Sequence, residues 1–263
     1  MAIVDDGLIL KLENFRTKVI QVLKEKGITI DDNAKLDDTL VKAIDSISTL
    51  QGLDDYIRGD IEEYINDEIT TFIGYTLANR PRLKKVSINN VTNPGTYSLY
   101  NDNSLSHFRG ENIQALPQSF LSNSLIKVLV LPRCITAGYQ SLINVQYLRY
   151  LILPRLMNKF SGGISFYAQV CDLGSISSIS DFKIDKALLL ILRQGAITSL
   201  SNKEYVSSVE EIYVPQDLIE SYKVATNWAT YADKFKPLEG SKYEPLNWYE
   251  EEAWYKEEMK VWE

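Results

Sequence analysis

The chain has few of the side chains on which most hydrolytic and metal-dependent sites rely. Its 263 residues include one histidine, His107, and two cysteines, Cys134 and Cys171. A histidine base, or a zinc site of histidines and cysteines, needs partners that these residues do not have nearby in the sequence. We therefore expect two free, buried thiols, a histidine at the surface, no metal and no cofactor.

Basic runs and long apolar runs are also missing. The net charge is −7, whereas nucleic-acid-binding proteins normally display a basic face. The most apolar window, residues 186–197, is shorter than the roughly 18 residues that a membrane-spanning helix needs. The first residues lack the features of a signal peptide. We expect no nucleic-acid partner, no membrane insertion, and synthesis in a cytoplasm without an export signal of the chain's own.

Two helical patterns occupy the N-terminal segment, residues 1–52. In each, apolar residues recur at spacings that place them on one side of a helix. Helices this short bury little surface alone, so we interpret the segment as a helical anchoring module that packs on a partner or on copies of itself. The two stripes consist of Leu8, Leu12, Phe15, Val19 and Val22, and of Leu36, Leu40, Ile44 and Ile47.

The second segment, residues 53–80, predicts an amphipathic helix. Its β-branched and aromatic residues recur at helical spacing, with acidic residues between them. Isoleucine at such positions favours parallel trimeric coiled coils, which predicts a homotrimer. A helix that covers one end of the following domain is the alternative. The residues predicted to form the oligomer interface are Ile57, Ile61, Tyr64, Ile65, Ile69 and Phe72.

The third segment, residues 81–239, contains a repeated pattern. Seven strand-like runs, such as LKKVSI and LIKVLVLP, share one order of hydrophobic and variable positions, and their centres are 22, 20, 23, 20, 19 and 22 residues apart. A repeat this short cannot bury its apolar face alone. The period therefore predicts a solenoid in which each repeat adds a short strand to a parallel sheet. The predicted centres are Val86, Phe108, Val128, Leu151, Cys171, Leu190 and Ile212.

The outward positions of these predicted strands form the candidate ligand surface. Alternate residues of a strand point to opposite faces, and solenoids use their extended outer surfaces for binding. We predict that polar, charged and aromatic side chains on this face contact a ligand. The candidates are Lys84, His107, Arg109, Lys127, Arg149 and Tyr150.

The last segment, residues 240–263, is acidic and rich in aromatic residues. Its spacing predicts a short helix with an aromatic stripe. Aromatic side chains are strong anchors at interfaces, so we predict that this helix docks into a groove of a neighbouring protein. Folding back on the chain's own solenoid is the alternative. The docking residues are Trp248, Trp254, Tyr255 and Trp262.

Paired carboxylates are frequent in residues 54–68 and in the tail. A glycosidase needs two carboxylates held on opposite sides of a sugar. These clusters instead lie on the predicted amphipathic helix and on the tail, outside the repeats. We interpret them as solvated and predict no catalytic residues. An enzyme that degrades surface polysaccharide is a third functional alternative.

The strand phrases resemble those of a known family. LIKVLVLP, YLRYLILP and VEEIYVP are similar to the strands of BspA-like leucine-rich repeats, and residues 212–238 resemble the cap that follows the last such repeat, with Tyr222 and Trp228 in its characteristic places. The resemblance covers residues 83–238. It implies an α+β fold: N-terminal helices, an irregular leucine-rich-repeat solenoid of short parallel strands, and a helical C-terminal cap with Trp228 in its core.

The N-terminal segment resembles a two-helix module of bacteriophage tail and fibre proteins. The resemblance rests on Phe15-Arg16, on residues 24–27 and on Ala43-Ile44; the strict AIR phrase of that module is absent. Together the two resemblances imply a non-enzymatic virion protein made in the host cytoplasm. It would be an accessory head or tail fibre that contacts other virion proteins and adheres to host-surface glycan or protein. A cell-associated bacterial interaction module is the alternative.

Overall fold

The chain divides into two compact units, Met1–Arg58 and Gly59–Glu263. The described residues of the first unit are helical, and Ile20 is buried. Both predicted N-terminal stripes lie outside the described residues. The computed structural model describes residues 61–158, 160–162, 164–184 and 186–263, together with Thr17, Ile20, Gln21 and Lys24.

The second unit is built from short strands that pair in parallel. Every strand pair within the described residues is parallel, and with the helices near the C-terminus this confirms an α+β fold. The strands are β1 (Glu63–Ile65), β2 (Lys85–Ser87), β3 (His107–Arg109), β4 (Ala115–Leu116), β5 (Val128–Val130), β6 (Thr136–Ala137), β7 (Tyr150–Ile152), β8 (Ile164–Phe166), β9 (Val170–Asp172), β10 (Ser178–Ile179), β11 (Phe182–Ile184), β12 (Leu189–Ile191), β13 (Ser199–Leu200), β14 (Glu211–Val214) and β15 (Phe235–Pro237).

The helices of this unit are short. Helix α1 spans Ile219–Val224 and helix α2 spans Ala253–Met259. Short 3₁₀ helices occur at Lys203–Val206, Gln216–Leu218, Ala229–Lys234, Trp248–Glu251 and Lys260–Trp262.

Two sheets carry the strands in nearly sequential order. One sheet has the order β1-β2-β3, and a six-stranded sheet has the order β15-β14-β12-β9-β7-β5. The ladder of strand hydrogen bonds is interrupted between β3 and β5, although the two strands lie side by side. Just before them, the Leu125 N–H donates to the Leu105 carbonyl at 2.8 Å. Further strands on the return path pair as β4 with β6, β8 with β11, and β10 with β13.

The register confirms six of the seven predicted strand centres and corrects one. Val86 pairs with Phe108, and Leu151, Cys171, Leu190 and Ile212 follow one another across the larger sheet. The third centre is Leu129, which pairs with Leu151 and is buried, whereas the predicted Val128 is half-buried. Both residues are apolar, so their hydrophobicity does not distinguish them. The sequence pattern also missed two further centres, Tyr64 and Phe235, at the ends of the strand series.

Asparagines hold the outer turns of successive repeats in a left-handed conformation. Asn79, Asn101, Asn123 and Asn144 have φ values of 61°, 63°, 63° and 60°, and asparagine adopts this region more readily than most residues do. The side-chain amide of Asn101 donates to Asn79 Oδ1 at 2.9 Å, and that of Asn144 donates to Asn123 Oδ1 at 2.8 Å. The leucine two residues before each asparagine is fully buried. Each turn therefore repeats the backbone of the one before it.

The predicted helix over residues 53–80 is wrong for the described part of that segment. Residues 61–80 form β1 and a series of turns. Tyr64 is the centre of β1 and pairs with Val86, while Phe72 is buried and Ile65 is 55% exposed. The stripe therefore does not face one side of a helix. β-Branched and aromatic residues favour strands when a neighbouring strand is available to pair with them, and β2 provides one. Residues 53–60, including Ile57, lie outside the described residues.

A compact aromatic cluster closes the C-terminal end of the larger sheet. Strand β15 adds to β14, and α1 packs over it through Tyr222 and Phe235, whose ring centroids are 5.2 Å apart. The Trp228 indole donates to the Thr198 carbonyl at 2.6 Å, and the Thr198 N–H donates to the Tyr222 hydroxyl at 2.8 Å. Trp228 is fully buried, which confirms that it is a core residue.

The cysteines are free and buried, as the sequence predicts. Burial raises the pKa of the Cys134 thiol to about 11 and raises that of Cys171 further. Both side chains are therefore protonated thiols at neutral pH, and they contribute apolar volume to the core.

Candidate binding surface

The side chains that flank each buried strand centre point to the opposite face of the sheets, which we call the strand face. Each strand contributes two residues to it, in register with the residues of its neighbours. From β2 to β14 these pairs are Lys85 and Ser87, His107 and Arg109, Val128 and Val130, Tyr150 and Ile152, Val170 and Asp172, Leu189 and Ile191, and Glu211 and Tyr213.

The chemistry of the strand face changes along the chain. Strands β2 and β3 present polar and charged residues, whereas β5, β7, β9 and β12 present mainly aliphatic and aromatic ones. An apolar area of this extent is unfavourable in water. The structure covers it with the acidic C-terminal segment, residues 240–263, which we call the tail. The cluster joins Ile152, Leu189 and Ile191 of the strands to Trp248 and Tyr249 of the tail.

The tail therefore docks on its own chain, and the prediction that its aromatic residues dock on a neighbouring protein is corrected. The Trp254 ring stacks on Tyr150 with centroids 4.0 Å apart and an angle of 7°. Tyr255 packs against the same cluster. Trp262 lies under the Lys85 ammonium, 5.0 Å from the ring centroid. The physical reason is that the strand face itself provides the apolar groove that these rings need.

A buried ion pair fixes the tail to the middle of the strand face. Asp172 is fully buried, and the Arg193 side chain is 7% exposed. Arg193 donates from Nε to Oδ1 at 3.0 Å and from Nη2 to Oδ2 at 2.6 Å. The same guanidinium donates to the carbonyls of Tyr243 and Glu244 at 2.7 and 2.9 Å. The Trp248 indole N–H donates to Asp172 Oδ2 at 2.9 Å. One carboxylate and one guanidinium thus link two strands to the tail.

The six predicted ligand residues divide into covered and open positions. Tyr150 is covered by Trp254, so its assignment to an open ligand surface is wrong. His107 is half-buried, with Nδ1 3.0 Å from the Ser106 hydroxyl, and burial lowers its pKa. Arg109 forms an ion pair with Glu111. The remaining three candidates, Lys84, Lys127 and Arg149, are exposed.

The three exposed cations occupy equivalent places. Each lies immediately before its strand, and its backbone carbonyl accepts a hydrogen bond from a backbone N–H of the next repeat. Lys84 also forms an ion pair with Glu62 at 2.8 Å, which lowers the pKa of that carboxyl. The repeat geometry therefore brings these cations to one edge of the strand face, beside the area that the tail covers.

The Asp172–Arg193 pair is the feature that sequence reasoning missed. The sequence did contain a signal that this face is covered, because the outward positions of four consecutive predicted strands are largely apolar. Such a face is stable only when something covers it. Arg193 and Asp172 are 21 residues apart in the sequence, which is about one repeat. Side chains separated by one repeat meet because their strands are neighbours in the sheet.

The part of the chain that the structure describes contains no group of three histidine, cysteine, aspartate or glutamate side chains placed to hold a metal ion. Among the same residues, no helix combines the length and the apolar character that crossing a bilayer requires. A scan against models of known protein families finds no match to this chain, and no curated protein matches its sequence.

Proposed function

We propose that this chain is a non-enzymatic structural and adhesion protein of a bacteriophage virion. It is an accessory head or tail fibre that displays a leucine-rich-repeat solenoid of the BspA-like kind. The parallel register of strand centres from Tyr64 to Phe235 supports the repeat architecture. The asparagine-lined turns and the aromatic closure around Trp228 are consistent with it, because stacked repeats need equivalent turns and a closed end.

The observation that carries the proposal is the division of the strand face. The tail removes the apolar half from solvent, and Lys84, Lys127 and Arg149 stay exposed along one edge. A row of long cationic side chains, each placed just before a strand of the repeats, suits repeated weak contacts to a host-surface glycan or protein. Many copies on one particle convert such contacts into firm attachment.

The location is tested by immunoelectron microscopy of phage particles and of cell envelopes from the same lysate. Antibody label on the particles supports the virion assignment. Label confined to envelopes overturns it in favour of the alternative, a cell-associated bacterial interaction module.

Adhesion is tested by co-sedimentation of the purified chain with host cells. We expect the triple variant Lys84→Ala, Lys127→Ala, Arg149→Ala to lose most of its binding, because the exposed edge loses three cationic side chains, of which Lys84 also pairs with Glu62. A matched control is Lys223→Ala, since Lys223 is a partly exposed cation in α1 that pairs only with Glu220 among described side chains. Binding unchanged in the triple variant, or sugar released from the envelopes, contradicts the proposal.

A further inference from the structure

A cavity of about 200 Å³ lies between the tail and the polar end of the strand face. Strands β3 and β5 form one wall, and the 3₁₀ turn at Trp248–Glu251 and helix α2 with its last turn form the other. Aromatic rings and carboxylates dominate its lining. The residues that matter for its chemistry are Phe108, Glu111, Tyr249, Tyr255, Glu258 and Trp262.

The charged side chains that line this cavity are mainly carboxylates. The guanidinium of Arg109 donates from Nε and Nη2 to Glu111 Oε1 at 2.8 and 2.5 Å, so these two charges offset each other. Glu250 lies at the rim and accepts from the Asn247 amide at 2.9 Å. Glu258 is half-buried and accepts no hydrogen bond from any side chain that the structure describes. Among the lining residues, carboxylates therefore outnumber cations three to one, while the ammonium groups of Lys85 and Lys127 lie near the cavity but outside its lining.

Burial raises the pKa of the Glu258 carboxyl to about 7, and the nearby Lys127 partly opposes this rise. The attraction between a carboxylate and a cation is stronger in such surroundings than in water, because water screens the two charges less. A bound anion would meet Glu250 and Glu258 without a free cation among the cavity's described lining residues, since Arg109 is already paired.

The aromatic rings suit the same kind of partner. The faces of tryptophan, tyrosine and phenylalanine attract organic cations, most strongly where water is excluded. The Tyr249 and Tyr255 rings meet edge to face at 5.0 Å, and Lys85 already places an ammonium 5.0 Å from the centroid of Trp262. Lys85 also donates to the Val261 carbonyl at 2.6 Å, which holds the last turn of the tail against β2. The ring that closes the cavity is therefore fixed in position.

We propose that this cavity binds an organic ammonium group, with the Glu258 carboxylate as its counter-ion and the rings of Tyr249, Tyr255 and Trp262 as its walls. The inference does not depend on the adhesion proposal, because the cavity is formed by the folded chain alone and its ligand chemistry is read from its own lining.

The test compares two molecules of nearly the same shape at pH 8, where Glu258 is ionised. Choline carries a quaternary ammonium, and 3,3-dimethylbutan-1-ol replaces that nitrogen by carbon. We titrate each into the full chain at constant ionic strength and follow tryptophan fluorescence and calorimetric heat. We expect choline to bind saturably and the neutral alcohol to bind at least about tenfold more weakly. A third titration with n-butylammonium shows whether a primary amine is also accepted.

Two variants and a control locate the site. Glu258→Gln removes the charge at nearly constant size and should weaken choline binding by about tenfold or more. Trp262→Leu should weaken it as well. Glu257→Gln is the control, because Glu257 is 75% exposed and pairs with Lys260 on the outer side of the same helix. Since Glu258→Gln removes a half-buried charge, it should fold normally even where Trp262→Leu loosens the tail.

Equal affinity for choline and the alcohol overturns the proposal, as does the absence of saturable binding by either ammonium. Unchanged choline affinity in Glu258→Gln also overturns it, because binding would then lie elsewhere on the chain. Failure of cell adhesion in the co-sedimentation assay has no bearing on these outcomes.

Discussion

The Trp248 indole N–H donates a hydrogen bond to Asp172 Oδ2 at 2.9 Å, across 76 residues of sequence. This bond joins the tail to the strand face at the point where Arg193 also reaches the same carboxylate. All three side chains are at least nine-tenths buried. The stability of the covered face therefore depends on a small polar group surrounded by apolar contacts.

Arg193→Met should strongly destabilise the chain. It removes the guanidinium but leaves the Asp172 carboxylate buried with only Trp248 and a backbone N–H to satisfy it. Breaking a buried pair in this way costs about 3–5 kcal/mol. Urea unfolding followed by tryptophan fluorescence measures the loss. Arg155→Met is the control, since Arg155 is exposed in the turn after β7. A loss no larger than that of the control contradicts a stabilising role for the pair.

Removing the tail should expose the apolar half of the strand face. A chain that ends at Glu239 retains β15 and the cluster around Trp228 but lacks Trp248, Tyr249 and Trp254. We expect it to bind the dye ANS and to self-associate, because a large apolar area is then in contact with water. Dye fluorescence and light scattering measure both effects. A monomeric truncated chain that binds no more dye than the full chain would show that the cover is dispensable.

The asparagine turns predict an unusual order of substitutions. Asn101 has φ 63°, where alanine is strained by about 1–2 kcal/mol and glycine is not. Asn101→Ala should therefore destabilise the chain more than Asn101→Gly does, although glycine usually destabilises folded proteins. Asn103→Ala, at an exposed neighbouring position, is the control. Thermal unfolding of the three variants gives the ranking, and equal losses for alanine and glycine at position 101 would exclude backbone strain as the cause.

Asp102 makes stability depend on pH. Burial raises its pKa from 3.8 to about 7, against the opposing influence of the Arg80 backbone N–H. Between about pH 4 and pH 7 the unfolded chain thus binds fewer protons at this site than the folded chain does. The contribution of Asp102 to the free energy of unfolding therefore falls as the pH rises. Asp102→Asn keeps an acceptor for Arg80 N–H and should be more stable than the parent chain above pH 7. Urea unfolding at pH 5 and pH 8 measures the difference, and a difference independent of pH contradicts the assignment.

Self-association is predicted to depend on the first unit. Two of the five described residues of the predicted trimer interface are used within the second unit: Tyr64 pairs in β1 and Phe72 is buried. A chain that starts at Gly59 should therefore be a monomer, while the full chain is predicted to be a trimer. Light scattering gives both masses. A trimer that persists without Met1–Arg58 would place the interface in the second unit.

The sequence was informative wherever one repeat resembles the next. Six strand centres follow from hydrophobic spacing, because each repeat must bury the same positions against its neighbours. The one-residue error at Val128 arises because Val128, Leu129 and Val130 are all apolar, so alternation is lost. The helix predicted over residues 53–80 failed for residues 61–80, because spacings of three and four residues occur by chance in a strand followed by turns.

The covered face was harder to predict, since its contacts join residues far apart in the chain. Periodicity describes local order, whereas the pairing of Trp248 with Asp172 depends on where the folded sheet places them. The apolar outward residues Val130, Ile152 and Ile191 indicate that a cover exists. They do not identify the segment that provides it, and the aromatic tail was equally suited to another protein.

The tail also has a mechanical consequence. It is tied to β2 through Lys85 and Val261, and to the end of β12 through Arg193 and Tyr243. Between these ties it passes over the gap between β3 and β5, which belong to different sheets. The repeats on either side of this gap are joined by the β4–β6 pair and by the hydrogen bond from the Leu125 N–H to the Leu105 carbonyl. A pull on the first strands is thus transmitted to the last ones through side chains as well as through the backbone. The tail therefore adds side-chain ties between the two sheets to those that the backbone already provides.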